Sequence, residues 1–200
     1  NSDKKVEKII LQELEKSKKN FSFLSEENGK VENQDKENIW IIDPIDGTNN
    51  FLHGIPHFSI SIGLKCKNEI IAGVIFDPIK NELFYAEKNN GAYFNNQRIR
   101  VSKKNNLDEC LFASNNVGIN NKNLSIRNLG SAALDMAYVG AGRFDGYFQN
   151  DLHIWDIAAG VIIVKEAGGT VNNLNLSQIE NLKIRASSNA IYEKMLEKIK

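Results

Sequence analysis

Two carboxylates, Asp43 and Asp46, lie in the run Asp43-Pro44-Ile45-Asp46-Gly47-Thr48, directly behind the apolar stretch Ile39-Trp40-Ile41-Ile42. The apolar stretch reads as a buried strand, so both acids are delivered together into a turn tightened by Pro and Gly. Acids crowded in this way repel one another and make each other harder to ionise. A hard divalent cation relieves that repulsion. One that also grips a phosphate would use the hydroxyl and backbone N–H groups that follow at Gly47 and Thr48. Asp-Pro and Asp-Gly are also ordinary turn dipeptides, so the run alone leaves a plain turn open. A calcium-binding EF-hand loop is excluded, because placing Gly47 at its sixth position puts Ile42 at the first, where Asp is required.

Two further segments bring acids to the ends of elements. Phe23-Leu24-Ser25-Glu26-Glu27 closes a short strand on a pair of glutamates, and Trp155-Asp156-Ile157-Ala158-Ala159-Gly160 opens an apolar helix with an aspartate. In isolation each has a bland reading. Asp156 is then a helix cap worth about 1 kcal/mol, Glu26 and Glu27 are solvated loop charges, and Trp155 is packing. Spacing does not say which glutamate points inward. His53, His57 and His153 lack the spacing of a zinc site and read as structural or exposed. The chain offers no Ser, Cys or His with the surroundings of an activated nucleophile.

The elements that must position these residues can be traced along the chain. Val6, Ile9, Ile10 and Leu14 recur at helical spacing up to about Lys19, with Asp3 near the front as a cap. A short strand follows at Phe21–Leu24, and the polar residues 28–38 read as a mobile loop. After the Asp43–Thr48 turn comes a short helical or irregular piece, then strands over Phe58–Leu64, Glu69–Asp77 and Leu83–Glu87. Asn90-Gly91 and Asn95-Asn96 are the hairpin turns. Composition turns polar over Ser102–Asp108, which divides the chain into an N-terminal subdomain, 1–105, carrying the acidic turn, and a C-terminal subdomain, 106–200, completing the site. In the second part, Cys110–Ser114 is a strand, and Ala133, Leu134, Ala137 and Tyr138 give a helix closed by Gly140–Gly142. Gly146-Tyr147-Phe148 is a strand, and a helix from Asp156 to Ala167 stops at Gly168-Gly169. Thr170-Val171, Lys183–Ala186 and a helix from about Asn189 complete the chain. Strands and helices mix without strict βαβ alternation, which predicts an α+β layered fold with mixed or antiparallel sheets.

Composition bounds the partners. In 200 residues, 25 Lys plus Arg balance 25 Asp plus Glu, so net charge is zero and no global field favours nucleic acid or an anionic membrane. No stretch approaches the ~20 apolar residues of a membrane span. No signal peptide is evident. Cys66 and Cys110 stand far apart, as reduced thiols in a cytoplasm would. The paired asparagines, from Asn89-Asn90 to Asn120-Asn121, read as turns and loops.

Taken together, the Glu26-Glu27 pair, the Asp43–Thr48 turn and Trp155–Gly160 resemble the inositol monophosphatase family, whose marks occur here in order. Gly130-Ser131-Ala132-Ala133-Leu134-Asp135, Gly142-Arg143-Phe144-Asp145-Gly146 and Asn1–Glu7 extend the similarity over nearly the whole chain. The resemblance implies a layered sugar-phosphatase sandwich and metal-dependent hydrolysis of a phosphomonoester, with inositol 1-phosphate the leading substrate. It implies that Glu26, Asp43, Asp46, Asp156 and the Ile45 carbonyl hold two or three Mg2+ ions, Asp43 bridging two. Hard oxygen ligands suit that ion. Gly47 and Thr48 would bind phosphate, Asp3 would orient the Thr48 hydroxyl, and Asp46, Ala132, Gln149 and Asp156 would contact substrate. Glu26, Thr48 and Asp3 are thus the expected catalytic residues. A homodimer, lithium sensitivity and a cytoplasmic location come with the family.

Three departures stand out. Gln149 replaces the glutamate usual in the inositol phosphatases, exchanging a charged acceptor for a group that also donates. The sequence begins almost at Asp3, where the family carries preceding helices, and the 114–130 connection is shorter than usual. Trimming there would uncover an apolar sheet face. The resemblance leaves two alternatives. One is a phosphatase for another small ester, such as fructose 1,6-bisphosphate, NADP or a nucleotide 3′-phosphate. The other is an interaction protein of the bacterial transcription and RNA machinery.

Overall fold

A computed structural model describes residues 2–116 and 124–199. The apolar runs between Phe21 and Arg98 pair into one sheet of eight strands: β1 (Phe21–Ser25), β2 (Gly29–Val31), β3 (Asp35–Asp46), β4 (Ser59–Cys66), β5 (Glu69–Asp77), β6 (Glu82–Glu87), β7 (Gly91–Phe94) and β8 (Gln97–Arg98). Their order is β2-β1-β3-β4-β5-β6-β7-β8. From β3 onward each strand turns back on the last, and β1 alone runs parallel to β3. The Asn95-Asn96 turn closes β7 onto β8 with both residues at positive φ, the twist that suits a tight hairpin.

A second sheet uses β9 (Leu111–Ala113), β10 (Ser125–Arg127), β11 (Gly146–Leu152), β12 (Gly169–Val171) and β13 (Leu182–Ser188), in the order β10-β9-β11-β13-β12. Both parallel and antiparallel pairs occur in it. The sequence division near 105 thus falls between the sheets. One apolar core nevertheless runs through both, from Ile41, Ile75 and Phe84 to Tyr147, Ile184 and Ala186.

Helices fill the space between and beside the sheets. α3 (Ala132–Gly140) and α4 (Ile154–Glu166) lie against each other and touch strands of both sheets. α1 (Ser2–Ser17) lies along β3, the short α2 (Thr48–Leu52) follows the acidic turn, and α5 (Tyr192–Lys198) packs on β13. The expected layered α+β architecture is therefore present. α4 is apolar all round, with Ile157 to Val164 buried, because it is covered on both sides. Its closeness to the first sheet rests on missing side chains. A Cβ on Gly73 would come within 2.7 Å of the Ala159 Cα, and one on Gly63 within 2.9 Å of the Ala158 Cβ.

Two sequence expectations are corrected. Residues 28–38 are not a loop throughout: they contain β2 and the first turns of the ladder in β3, stitched by Ser22 Oγ to the Asp35 carbonyl. Polar side chains hid these strands because each is an edge or exposed segment. On α1, Ile9 is 61% exposed whereas Asp3 and Glu7 are buried. The inward face is Asp3, Glu7, Ile10 and Leu14, acidic at one end and apolar at the other. The Asn120-Asn121 pair lies outside the described residues.

Candidate active site

The register of β1 on β3 explains how acids from distant parts of the chain meet. Ser25 aligns with Ile42, so the next residue, Glu26, arrives beside Asp43, and its N–H donates to the Ile42 carbonyl at 3.2 Å. β3 itself is irregular between Asp43 and Asp46, which pair with Ser61 and Ser59 of β4. Both aspartates thereby face inward, 3% and 6% exposed. The third acid comes from α4: Ser61 Oγ donates to the Trp155 carbonyl at 3.5 Å, holding the helix start over the strand position opposite Asp43. Asp156 is the third residue of that helix and accepts from the His153 N–H at 2.7 Å. It is a helix-capping acid and a member of the cluster at once.

Electrostatics show how closely the four acids are drawn together. Burial, then the charges of Asp46, Glu26 and Asp156, push the Asp43 carboxyl well above the ordinary range. Burial pushes Asp46 up to about 7, against the hydrogen bond from Ser131. Burial pushes Asp156 up to about 6, helped by Glu26. Glu26 is raised by burial and by Glu27 and Asp3, while a hydrogen bond with Asp43 opposes the shift. Beside the cluster, Asp135 is buried with neither oxygen partnered, and burial and Asp46 hold it well above the usual range.

Among the described residues, neither Lys nor Arg forms an ion pair with any of the four, and the one basic neighbour is His153, 3.7 Å from Asp156. As placed, no group of three or more acidic, His or Cys side chains among those residues has metal-holding geometry. The donor chemistry nevertheless fits a hard divalent ion. Every donor is oxygen, and among the described residues no lysine or arginine balances the negative charge. Clefts of about 500 Å³, lined by Arg100, Lys103 and Asn189, and about 610 Å³, lined by Asn20 and Lys36, contain none of the four acids. The chemistry follows the charge, not the volume.

The other expected residues fall as follows. Gly47 has φ 93°, a left-handed conformation that glycine adopts without strain, and a Cβ there would press on the Gly130 and His57 carbonyls at 3.2 Å. Thr48 starts α2, and its hydroxyl donates to the Ile45 carbonyl at 2.9 Å, so it is engaged there and not with Asp3. Asp3 is buried and acts on Glu26 through its charge. The Ala132 N–H is also engaged: together with Ala133 N–H and Ser131 Oγ it binds the Asp46 carboxylate, at 3.2 and 3.0 Å for the two amides. Asp46 thus sits on the N-terminus of α3, where the helix dipole favours an anion. Gln149 accepts from the Tyr147 hydroxyl at 2.7 Å. The Tyr147 ring lies within the field of Asp135, Asp46 and Asp156, which brings Gln149 to the same neighbourhood.

Three residues at the site were not singled out by sequence. Ser131 holds Asp46, Glu7 anchors the turn that carries Glu26, and His153, half-buried, stacks on Trp155 with ring centroids 4.8 Å apart beside Asp156. The Asp3/Glu7 spacing on one helical face was the available signal for Glu7.

Against known proteins, residues 1–200 match the model of the inositol monophosphatase family. An inositol-1-monophosphatase of Mesorhizobium japonicum is 40% identical, over 100% of this chain and 81% of that protein. The Nus factor SuhB of Escherichia coli is also 40% identical, over 86% of this chain and 70% of that protein. Among solved structures, the extragenic suppressor protein SuhB of Bartonella henselae superposes with a TM-score of 0.94 at 41% identity, over 100% of this chain and 83% of that one. A Thermotoga maritima inositol monophosphatase gives 0.89 at 38% identity, over 98% and 81%.

Proposed function

Because the chain belongs to the inositol monophosphatase family, and is an enzyme of the phosphoric monoester hydrolase type, we propose that it performs magnesium-dependent hydrolysis of a small phosphorylated polyol, inositol 1-phosphate first among candidates. One observation carries this reading: four acids from three distant segments meet at one place, with no lysine or arginine among the described residues paired to them. Glu26, Asp43, Asp46, Asp156 and the Ile45 carbonyl would hold two or three Mg2+ ions. When bound, such ions acidify water and take up charge on the phosphoryl oxygens.

The remaining work falls to the chain's own groups. Glu26 and the Thr48 hydroxyl flank the place where water is held for attack on phosphorus, and Asp3 completes that wall. Backbone N–H groups at Gly47 and Thr48 bind the phosphate, with no side chain on Gly47 to keep it away. Asp46, Ala132, Gln149 and Asp156 line the side that takes the alcohol. Gln149, held by Tyr147, offers a neutral amide where a carboxylate would accept two hydroxyl protons, so selectivity among polyols rests there. A homodimer, inhibition by lithium and a cytoplasmic location come to the chain by the same resemblance.

A second reading has its own support, since relatives equally similar in sequence are named Nus factors: the chain could also bind the transcription machinery while keeping its catalysis. Phosphate release, with and without Mg2+, from inositol 1-phosphate, fructose 1,6-bisphosphate, NADP and a nucleotide 3′-phosphate tests the first reading. Magnesium-dependent release, fastest from the polyol ester, is the expected result. No release from any of them would leave only the binding role.

A further inference from the structure

Glu7 is a charged residue with no exposure at all, on a helix whose neighbouring Ile9 is 61% exposed. Burying a carboxylate is costly unless hydrogen bonds replace water, so its partners identify its task. They are three parts of one turn, on both sides of Glu26. Ser25 Oγ donates to Oε1 at 2.8 Å, the Glu27 N–H donates to Oε2 at 3.1 Å, and the Asn28 side-chain amide donates to Oε1. The residue these partners enclose is Glu26. Its backbone is pinned from the other side by the Ile42 carbonyl, while its carboxyl is left to meet Asp43. The turn closes at Gly29, whose φ of 68° lets the chain reverse into β2.

From this geometry we propose that Glu7 is a positioning residue: it fixes the Ser25–Asn28 turn so that the Glu26 carboxylate points at the cation site. The proposal rests on reading the four acids as that site. A carboxylate is required at position 7 because three donors converge on two oxygens and a carboxylate only accepts. A glutamine would turn an N–H group against one of those donors, leaving it unpaired in a buried place. The turn would then relax, and Glu26, which lies outside any regular element, would lose its aim. Residues behind a ligand commonly set metal affinity in this way, by roughly 10- to 100-fold.

The test is titration of the metal-free full chain with Mn2+ by calorimetry at a temperature where each variant is folded. Glu7→Gln should bind Mn2+ roughly 10- to 100-fold more weakly than the wild type. Asn28→Ala removes one donor, leaves the carboxylate in place, and should weaken binding less, in the same direction. In phosphate-release assays the Mg2+ concentration for half-maximal rate should rise by the same factor in each variant, with kcat recovered at saturating Mg2+. If Glu7 merely braced the fold, both variants would unfold at lower temperature yet bind Mn2+ as the wild type does, and that result overturns the proposal. Should Glu7→Gln fail to fold, wild-type affinity in Asn28→Ala overturns it equally. A wild-type chain that takes up no Mn2+ removes the metal site itself, and this inference with it.

Discussion

Two sets of buried acids in this molecule have been given opposite treatment. Asp77 and Asp145, away from the cluster, are each buried beside a lysine: Lys80 binds Asp77, and Lys104 reaches Asp145 at 3.0 Å. Burial alone would raise Asp77, but the Lys80 hydrogen bond and charge, with backbone N–H groups of Ile79 and Lys80, bring it below the ordinary range. Asp43, Asp46 and Asp156 have backbone donors as well, yet no lysine or arginine among the described residues, and all three are raised. Paired acids hold loops in place. Unpaired acids crowded together store unfavourable charge that a cation can relieve, which is the economy of a site and not of a scaffold.

The largest expected effect follows from cutting the unpaired set. Asp43→Asn should lower Mg2+-dependent phosphate release by on the order of 10³-fold or more. The same variant, melted in EDTA, should unfold at a higher temperature than the wild type, because one repelling charge is gone. A lower melting temperature would break the contrast. Gly73→Ala moves an acid without changing it. The new methyl meets the Ala159 backbone and pushes α4, with Asp156 at its start, off the sheet. Overpacking of this kind costs about 1–3 kcal/mol, readable by denaturant titration, and activity should fall with it.

In the paired set the sign reverses. Asp77→Asn keeps the acceptor for the Ile79 and Lys80 amides but loses the charge beside Lys80, a partly exposed partner, so stability should drop by about 1–2 kcal/mol. The last contrast is the pH trend of the metal-free protein. Asp156 and Asp46 titrate near 6 and 7 when folded, against 3.8 as ordinary carboxyls. The folded chain therefore holds protons that the unfolded chain has released, and stability must fall as pH rises through that window, levelling above it. Melting temperatures in EDTA from pH 4 to 8 should show this decline, and saturating Mg2+ should remove it. A rise with pH would mean the acids are not crowded.

Much of this contrast could be read before any coordinates. The β-hairpins from β4 to β8 announce themselves through alternating apolar residues and the Asn turns, and α4 through the apolar run 157–164 with the Gly168-Gly169 stop beyond it. The site acids were named by the resemblance of three motifs taken together, since each alone also reads as a turn former, a cap or a solvated charge. What stayed hidden was polar support. β2 and the start of β3 are edge or exposed strands with no apolar alternation to betray them. Glu7 and Ser131 look like surface residues until their partners, 18 and 85 positions away, are in view. His153 carries no spacing signal, since its place comes from stacking on Trp155.

By itself, then, the order of residues determined the layered fold through periodicity and turn chemistry, which are local properties, and it pointed to the family and its acids through the combined resemblance of three motifs. That Asp46 caps α3, that the Thr48 hydroxyl turns to Ile45, and that Glu7 lies behind Glu26 were decided only in three dimensions. Hydrogen bonds between distant segments depend on strand register and helix depth, and a one-residue slip would redirect every one of them.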